Sequence, residues 1–428
     1  LCDSTATLTV ANSTIDGNSA PRAGGGIEFF AKGGQMQTAS LMNVTISDNT
    51  TGSAPGNGGG VHITGPGNMT VTGCTVMGNT AAAEGGGLWN GSGTMTIDDC
   101  DVSGNVANGS VNPVGAPGGA LDLQGGGGIF NNLGTVNIVN VSGATNITGN
   151  TAGGAPFGSG GGILSAGGSF SITGANISMN ETARAGGGIE NAASSMTVTS
   201  SVINGNDCSM AGALAAASPG NGGGVHVTGA GTMTVSMCTV DGNTAGNEGG
   251  GLWGSGTGTL TVLRTTASHN TAPDGGGLFL QAGPTGVLNM DFSTSSGNTA
   301  TNGGGVQTEG GTFNITGSTI ASNTASTGGG VNVIATAVNS TSTIIADNTA
   351  GTGPDLNGAF ASAMFTLLEN GTDATGITNG TNGNIVGTDP LLLALANNGG
   401  PTGTHALACG SAAVDAGDEV CGHGTHAF

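Results

Sequence analysis

The sequence predicts an all-β fold, a right-handed parallel β-helix of about 12 coils closed by an irregular C-terminal cap. Three observations support this prediction. A short motif recurs in which an Asn is preceded, most often, by Ile or Val three residues earlier. A glycine triplet followed by Ile, Val or Leu lies between successive motifs, and apolar and polar residues alternate in the segment that joins the triplet to the Asn.

The spacing of the two motifs separates a constant part of the repeat from a variable part. The asparagines are residues 18, 49, 79, 105, 150, 180, 206, 243, 270, 298, 323 and 348, and the triplets begin at 24, 58, 85, 126, 160, 186, 222, 249, 275, 303 and 328. A triplet precedes the next Asn by 20 to 25 residues, whereas an Asn precedes the next triplet by 5 to 21. Insertions confined to one edge are typical of a solenoid.

The constant part reads as short strands with one buried face. Before Asn79 the apolar positions are Val76, Cys74, Val71 and Met69, which gives a period of two within each strand. The triplet predicts a tight corner that needs positive φ, and the Asn predicts a second corner whose amide bonds to the neighbouring coils. We expect coils over residues 1–350 and a cap over 351–428.

One block of coils occurs twice. His62, Cys74, Glu84 and Trp89 recur 164 residues later as His226, Cys238, Glu248 and Trp253, so the duplicated segments are about 8–105 and 170–270.

Charge and apolar content exclude several classes of function. Four Lys and Arg stand against 25 Asp and Glu, a formal charge of −21, so nucleic acid is not an expected partner. No apolar run is long enough to span a membrane. The first residue is Leu1, as expected of a secreted chain whose signal peptide has been removed, and this predicts an extracellular or cell-surface location.

Two sets of residues resemble known families. The "GGGI/V/L" and "IxxN" motifs resemble the repeats of polymorphic outer-membrane proteins and of bacterial right-handed β-helix surface proteins. The segment "DPLLLALANNGGPTGTHALACGSAAVDAG" at 389–417 resembles the C-terminal signature of the choice-of-anchor family of secreted β-helix proteins. The resemblance implies an extracytoplasmic right-handed β-helix and no particular activity.

Catalytic and metal-binding residues are sparse. The string "GHG" at 422–424 is similar to a polygalacturonase motif, but it lies outside the coils and has no Arg-x-Lys partner or cluster of acids. We therefore predict no enzymatic activity and no required cofactor. Glu248 and Asp274 each precede a triplet in consecutive coils and are weak candidates for a calcium site, the alternative being that they solvate the surface.

Five cysteines are candidates for disulfide bonds. Cys74 and Cys100 occupy the same inward position in adjacent coils, either as a disulfide or as a buried thiol ladder. Cys409 and Cys421 could join the cap, and Cys2 could join two chains.

The candidate binding surface is the column of side chains two residues after each triplet, here called the aromatic column. It comprises Glu28, His62, Trp89, Phe130, Leu164, Glu190, His226, Trp253, Phe279, Gln307 and Asn332. Alternation predicts that these side chains point outward, where exposed aromatic residues would mark a contact surface. Alternatively, an insertion such as 106–125 or 207–221 folds over the column and buries it.

These residues support three hypotheses. The preferred one is an extracellular structural protein that self-associates into a surface layer or filament, since Leu8 and Val10 form an inward-facing first strand with no evident cap. The second is an adhesin that binds a glycan or another surface protein through the aromatic column. A polysaccharide lyase or hydrolase is the third and least favoured.

Overall fold

The structure, a computed structural model, describes residues 7–31, 37–53, 55–109, 124–153, 158–209, 220–283 and 285–418. Within these ranges it contains strands and turns and no helix, so none of the described residues forms a helix long and apolar enough to cross a membrane. The chain divides into two compact units, Leu1–His226 and Val227–Phe428.

Four parallel sheets, A to D, run through unit 1, and each coil adds one strand to each of them in chain order. Sheet A contains Thr7–Ala11, Thr38–Met42, Asn68–Thr72, Thr94–Asp98, Thr135–Val139, Ser169–Thr173 and Ser195–Thr199. Sheet B contains Thr14–Asp16, Thr45–Ser47, Thr75–Met77, Asp101–Ser103, Asn146–Thr148, Asn176–Ser178 and Val202–Asn204. Sheet C contains Ser19–Ala20, Thr50–Thr51, Thr80–Ala81, Val106–Ala107, Thr151–Ala152, Glu181–Thr182 and Asp207–Cys208. Sheet D contains Ile27–Phe30, Val61–Thr64, Leu88–Asn90, Ile129–Asn131, Ile163–Ser165 and Ile189–Asn191. A small extra pair is formed by Gln124–Gly125 and Gly158–Ser159.

Unit 2 repeats the arrangement with a reduced sheet C. Its sheet A contains Thr232–Ser236, Thr259–Leu263, Val287–Asp291, Thr312–Thr316, Ala337–Thr341 and Ser362–Met364. Its sheet B contains Thr239–Asp241, Thr266–Ser268, Thr294–Ser296, Thr319–Ala321, Ile344–Ala346, Leu367–Leu368 and Ile385–Val386. Its sheet D contains Leu252–Gly256, Leu278–Ala282, Val306–Glu309, Val331–Ile334, Leu356–Ala359 and Ala374–Thr375. Sheet C consists of Thr244–Ala245 and single-residue bridges through Thr271, Thr299, Thr324 and Thr349. The strand Val225–Val227 contains the division between the units.

The core is a stack of identical positions. In sheet A, Leu41 pairs in register with Val71 and Val71 with Ile97, and all three side chains are fully buried. The alternation predicted from the sequence is confirmed, because the polar residues between them face outward. Each coil thus removes its apolar face from water by stacking on equivalent residues of its neighbours, which is the main stabilising contribution.

The recurring asparagines form a buried ladder at the corner between sheets B and C. Asn79 donates its backbone N–H and its Nδ2 to Asn105 Oδ1, at 3.0 and 2.9 Å. Asn105 Nδ2 in turn donates to Val76 O at 2.8 Å and to Asn150 Oδ1 at 2.9 Å. The same pattern links Asn243 through Asn348 in unit 2. Each amide therefore satisfies the corner of its own coil and that of the preceding one.

A second ladder occupies the corner between sheets A and B. In unit 1 the N–H of Cys74 donates to Cys100 Sγ at 3.4 Å, and the N–H of Cys100 donates to Thr145 Oγ1 at 3.3 Å. In unit 2 the N–H of Thr265 donates to Ser293 Oγ and that of Ser293 to Ser318 Oγ. Hydroxyl and thiol groups are thus equivalent at this corner.

Two glycines show why the triplet is required. Gly85 has φ of +64°, and a Cβ there would lie 2.9 Å from the Cβ of Trp89. A Cβ on Gly86 would lie 2.3 Å from the carbonyl oxygen of Gly127 in the next coil. The first glycine makes the left-handed turn, and the second allows the coils to approach.

Coils continue beyond the predicted boundary at residue 350. Leu367–Leu368 pairs in parallel with both Ile344–Ala346 and Ile385–Val386. The asparagine ladder ends earlier, at Asp355, whose Oδ1 accepts from Asn348 Nδ2 at 2.9 Å. The boundary was placed too early because the coils after Asn348 lack the Asn and triplet motifs.

The segment after the coils, residues 388–418 and here called the strap, lies along sheet B of unit 2. It doubles back through antiparallel bridges between Leu392 and Leu407 and between Ala396 and Thr404. Leu392 and Leu407 pack against a core that includes Ile344 and Leu367. Thr266 Oγ1 donates to Gly403 O at 2.5 Å, so the strap reaches back over several coils.

His405 fastens the strap to the sheet. It lies within the "THAL" part of the C-terminal signature and is 5% exposed. Its Nδ1 donates to Leu393 O at 2.6 Å, which leaves Nε2 to accept from Ser296 Oγ at 2.9 Å. The predicted cap is therefore, in its last part, a strap along the side of the coils.

We expect Asn105→Ala to lower the free energy of unfolding by about 2–4 kcal/mol. The substitution removes the acceptor of the buried Asn79 N–H and the donor to Val76 O, each costing about 1–3 kcal/mol. Urea unfolding followed by circular dichroism measures the change. Asn18→Ala, at the exposed first rung, is the control and should cost less than about 1 kcal/mol. Equal effects of the two substitutions would contradict this account of the ladder.

Candidate functional site

The aromatic column lies on sheet D and is in register, as the sequence predicts. In unit 1 the backbone pairs Glu28 with His62, His62 with Trp89, Trp89 with Phe130, Phe130 with Leu164, and Leu164 with Glu190. In unit 2 it pairs Trp253 with Phe279, Phe279 with Gln307, and Gln307 with Asn332.

The expectation that the column faces solvent is wrong for every member except Glu28, which is exposed. The remaining members, Glu190 and Phe279 among them, are buried, and Trp89, the most accessible of these ten, is 8% exposed. Each side chain lies between stacked neighbours and against the glycine turn of its own coil. Residues 110–123 and 210–219, within the insertions considered as covers, lie outside the described residues.

The first half of the column is an aromatic stack. The ring centroids of His62 and Trp89 are 4.2 Å apart and those of Trp89 and Phe130 are 6.1 Å apart, with nearly parallel planes. Trp89, Phe130 and Leu164 form one buried cluster. Trp89 Nε1 donates to Glu84 Oε2 at 2.9 Å, so the acid before the triplet satisfies the only polar atom of the indole.

The duplicated half reproduces this contact and adds a buried ion pair. Trp253 Nε1 donates to Glu248 Oε2 at 2.8 Å, the equivalent of the Trp89–Glu84 bond. His226 Nδ1 lies 2.5 Å from Glu190 Oε2, and both side chains are at most 3% exposed. These polar groups bond to one another, as burial requires.

The column ends in unit 2 as a row of amides. Asn332 Nδ2 donates to Gln307 Oε1, and Asn357 Nδ2 donates to Asn332 Oδ1, both at 2.6 Å. The column is thus a packing element along its whole described length, and the adhesin hypothesis loses the exposed aromatic surface on which it depended.

Burial also changes the ionisation of His62. Desolvation, with a smaller contribution from the charge of Arg22, lowers the pKa of His62 to about 4. The ring is therefore neutral at physiological pH, hydrogen-bonded through Nδ1 to Thr64 Oγ1 at 2.9 Å. A neutral, stacked histidine is a structural residue here.

The predicted acidic pair is adjacent in the structure. Glu248 and Asp274 form a parallel bridge in consecutive coils. Their carboxylates, however, accept hydrogen bonds from neutral donors, Glu248 from Trp253 Nε1 and Asp274 from Asn302 Nδ2 at 2.7 Å. The geometry gives the two acids structural partners, so calcium binding there stays a prediction.

A closer group of acids was missed. The carboxylate oxygens of Asp347, Glu369 and Asp389 all lie within 4.8 Å of one another. Burial first, and then the charge of Asp389, raises the pKa of Asp347. No sequence motif joins these residues, since the strap brings Asp389 to the coils.

The predicted disulfide between Cys74 and Cys100 is replaced by the thiol ladder, the alternative left open by the sequence. Both residues are buried thiols that hydrogen-bond along the corner between sheets A and B. The hydrogen bond between them lowers the pKa of Cys74 to about 7 and raises that of Cys100. Cys409 is an exposed thiol, and its proposed partner Cys421, like Cys2 and the "GHG" string, lies outside the described residues.

The first strand has one partner among the described residues. Thr7–Ala11 pairs with Thr38–Met42 along one edge only. Leu8 and Val10 point inward as predicted but are half-buried, whereas their equivalents Ala39 and Leu41 are buried. The first described coil therefore presents both unpaired backbone groups and apolar surface.

Residues 1–114 match the family described as the right handed β-helix region. The fold is a right-handed parallel β-helix. The match and the parallel sheets together support this assignment. No curated protein and no solved structure matches the chain.

We expect Trp253→Ala to destabilise the protein by about 3–5 kcal/mol, because a large side chain that is 4% exposed is lost from the stack. Thermal and urea unfolding measure the change. Met77→Ala, at a side chain that is 46% exposed, is the control and should cost under about 1 kcal/mol. Wild-type stability of the Trp253 variant would show that the column is not a packing element.

We expect His62 to destabilise the protein in acid. The unfolded chain protonates His62 near pH 6.5 and the folded protein only near pH 4, so stability present above pH 6.5 is lost as the pH falls towards 4. The contribution is about 3 kcal/mol. The unfolding free energies of wild type and His62→Phe should therefore converge, or cross in favour of the variant, between pH 7 and pH 4.

The control for this effect is His269→Gln, because the His269 side chain is 65% exposed. Its stability relative to wild type should change little over the same interval. A parallel pH dependence of wild type and His62→Phe would refute the assignment.

Proposed function

We propose that the chain is an extracellular structural protein whose β-helical units associate with further copies into a surface layer or filament. The observation that carries the proposal is the edge of the first described coil. There Thr7–Ala11 has a partner strand on one side only, among the described residues, and Leu8, Val10 and Ile15 are half-buried. A strand from a second copy would satisfy this edge and cover these side chains.

A structural role fits the use that the coils make of their polar groups. The buried asparagines, hydroxyls and thiols hydrogen-bond to neighbouring coils, and the buried Glu and His of the aromatic column bond within it. These are the residue types from which an enzyme would build an acid–base or nucleophilic site. Their use in packing supports a protein without catalytic activity.

The location and the narrower family are part of the same proposal. The C-terminal signature supports a secreted protein of the choice-of-anchor type, and the repeats support a relation to polymorphic outer-membrane proteins. The strap supports the first of these, because His405 of the signature has a defined structural role there. A glycan or a second surface protein as partner is not favoured by any exposed aromatic surface of the described coils.

The backbone of the first strand allows a precise test. The N–H of Asn12 donates to Met42 O in the second coil, so by alternation the N–H groups of Thr7, Thr9 and Ala11 point to the opposite edge. Proline at residue 9 would remove one of these edge donors and leave the pairing with the second coil intact.

We expect Thr9→Pro to abolish assembly while leaving the protein folded. Negative-stain electron microscopy and sedimentation velocity measure assembly, and circular dichroism measures folding. Thr9→Ala is the matched control, since it removes the hydroxyl and keeps the N–H, and it should assemble like wild type. The proposal fails if wild type remains a single rod at high concentration, or if Thr9→Pro assembles as wild type does.

A further inference from the structure

The outer face of sheet A in unit 1 carries a regular array of small polar side chains, here called the hydroxyl lattice. Its first column is Thr7, Thr38, Asn68, Thr94, Thr135, Ser169 and Ser195, and its second is Thr9, Ser40, Thr70, Thr96, Asn137, Ser171 and Thr197. Every strand is paired without a slip in register, so both columns are unbroken. Thr, Ser or Asn occupies all fourteen positions.

The lattice has two fixed repeat distances. Neighbouring coils are about 4.8 Å apart, and residues two apart in a strand are about 6.6 Å apart. Neighbouring side chains also hold one another in place: Thr135 Oγ1 lies 3.1 Å from Ser169 Oγ, and Ser171 Oγ donates to Asn137 Oδ1 at 2.7 Å. Threonine, the commonest member, is stiff at χ1, so its hydroxyl and methyl groups are preorganised.

Charge is absent from this surface. The chain has a formal charge of −21, yet none of the fourteen lattice residues is charged or aromatic. The other well-exposed face of unit 1, that of sheet B, is irregular by comparison and includes Asp101, Met77 and Val202. A neutral, regular, hydrogen-bonding face in an acidic protein complements a ligand surface that is itself neutral, planar and hydrogen-bonding.

We propose that the hydroxyl lattice binds the surface of ice. Crystalline water offers a planar, uncharged array of hydrogen-bond donors and acceptors, and its prism faces have oxygen repeat distances close to those of the lattice. A hydroxyl group both donates and accepts, so each lattice residue can take the place of a surface water. The threonine methyl groups lie between the hydroxyls and fit the gaps of such a surface without competing for its hydrogen bonds.

Ice is favoured over a crystalline polysaccharide by the side chains present. Sugar rings are commonly held against exposed aromatic faces, and the lattice contains none. Many weak contacts add up here because the lattice is rigid before binding and loses little side-chain entropy. Binding to a neutral surface is also expected to be insensitive to moderate salt.

The proposal is independent of self-assembly and is tested on the full chain. Fluorescently labelled protein is partitioned between a slowly growing ice hemisphere and the liquid, and inhibition of ice recrystallisation is measured in parallel. Wild type should enter the ice and slow recrystallisation. Thr96→Lys, at the centre of the lattice, should be excluded from the ice because its long charged side chain holds the face away from the crystal.

The matched control is Thr75→Lys, which places the same half-buried change on the outer face of sheet B beside Asp101. It should partition like wild type, and circular dichroism should show both variants folded. Exclusion of wild type from ice overturns the proposal, as does equal partition of the two lysine variants. Lateral association of copies that Thr96→Lys abolishes, without ice binding by wild type, would assign the lattice to self-contact instead.

Discussion

Strict register between coils is the constraint on which the other features of the structure depend, and the asparagine ladder enforces it. An amide such as that of Asn105 satisfies groups in three successive coils only if the same residue type returns to the same place on every turn. The rise per coil is then the spacing between strands, and every outward or inward position becomes a column. Insertions are accommodated only between the Asn corner and the glycine triplet, where the chain length varies.

The columns have different fates although they obey one geometry. Inward columns of Ile, Val and Leu form the core, and the corner columns of Asn, Ser, Thr and Cys satisfy backbone groups. The column after the glycine triplet points away from the core and is nevertheless buried, because large rings stack at the strand spacing and rest on a glycine turn. The column of small polar residues on sheet A cannot shield itself in this way and stays accessible.

Much of this was predictable from periodicity, because a period of two and a repeat of about 25 residues identify strands and coils directly. Exposure of Trp89 and Trp253 was not, since pointing outward from a strand does not say what lies above the side chain. The fate of Cys74 and Cys100 depended on hydrogen bonds that Ser and Thr make at the same corner. Contacts of the strap, such as His405 with Ser296, join residues 109 apart and leave no periodic trace in the sequence.

The ladder in unit 2 has a direction. Every Nδ2 points to the next coil and every Oδ1 to the previous one, so the amide dipoles add like those of the peptide groups in an α-helix. The positive end of this row is Asn348, and the residue placed against it is the carboxyl group of Asp355. Burial raises the pKa of Asp355 to about 6, so the negative charge that terminates the row is itself only partly secured at mildly acidic pH. The stack thus behaves as a single polarised element with an electrically distinct end.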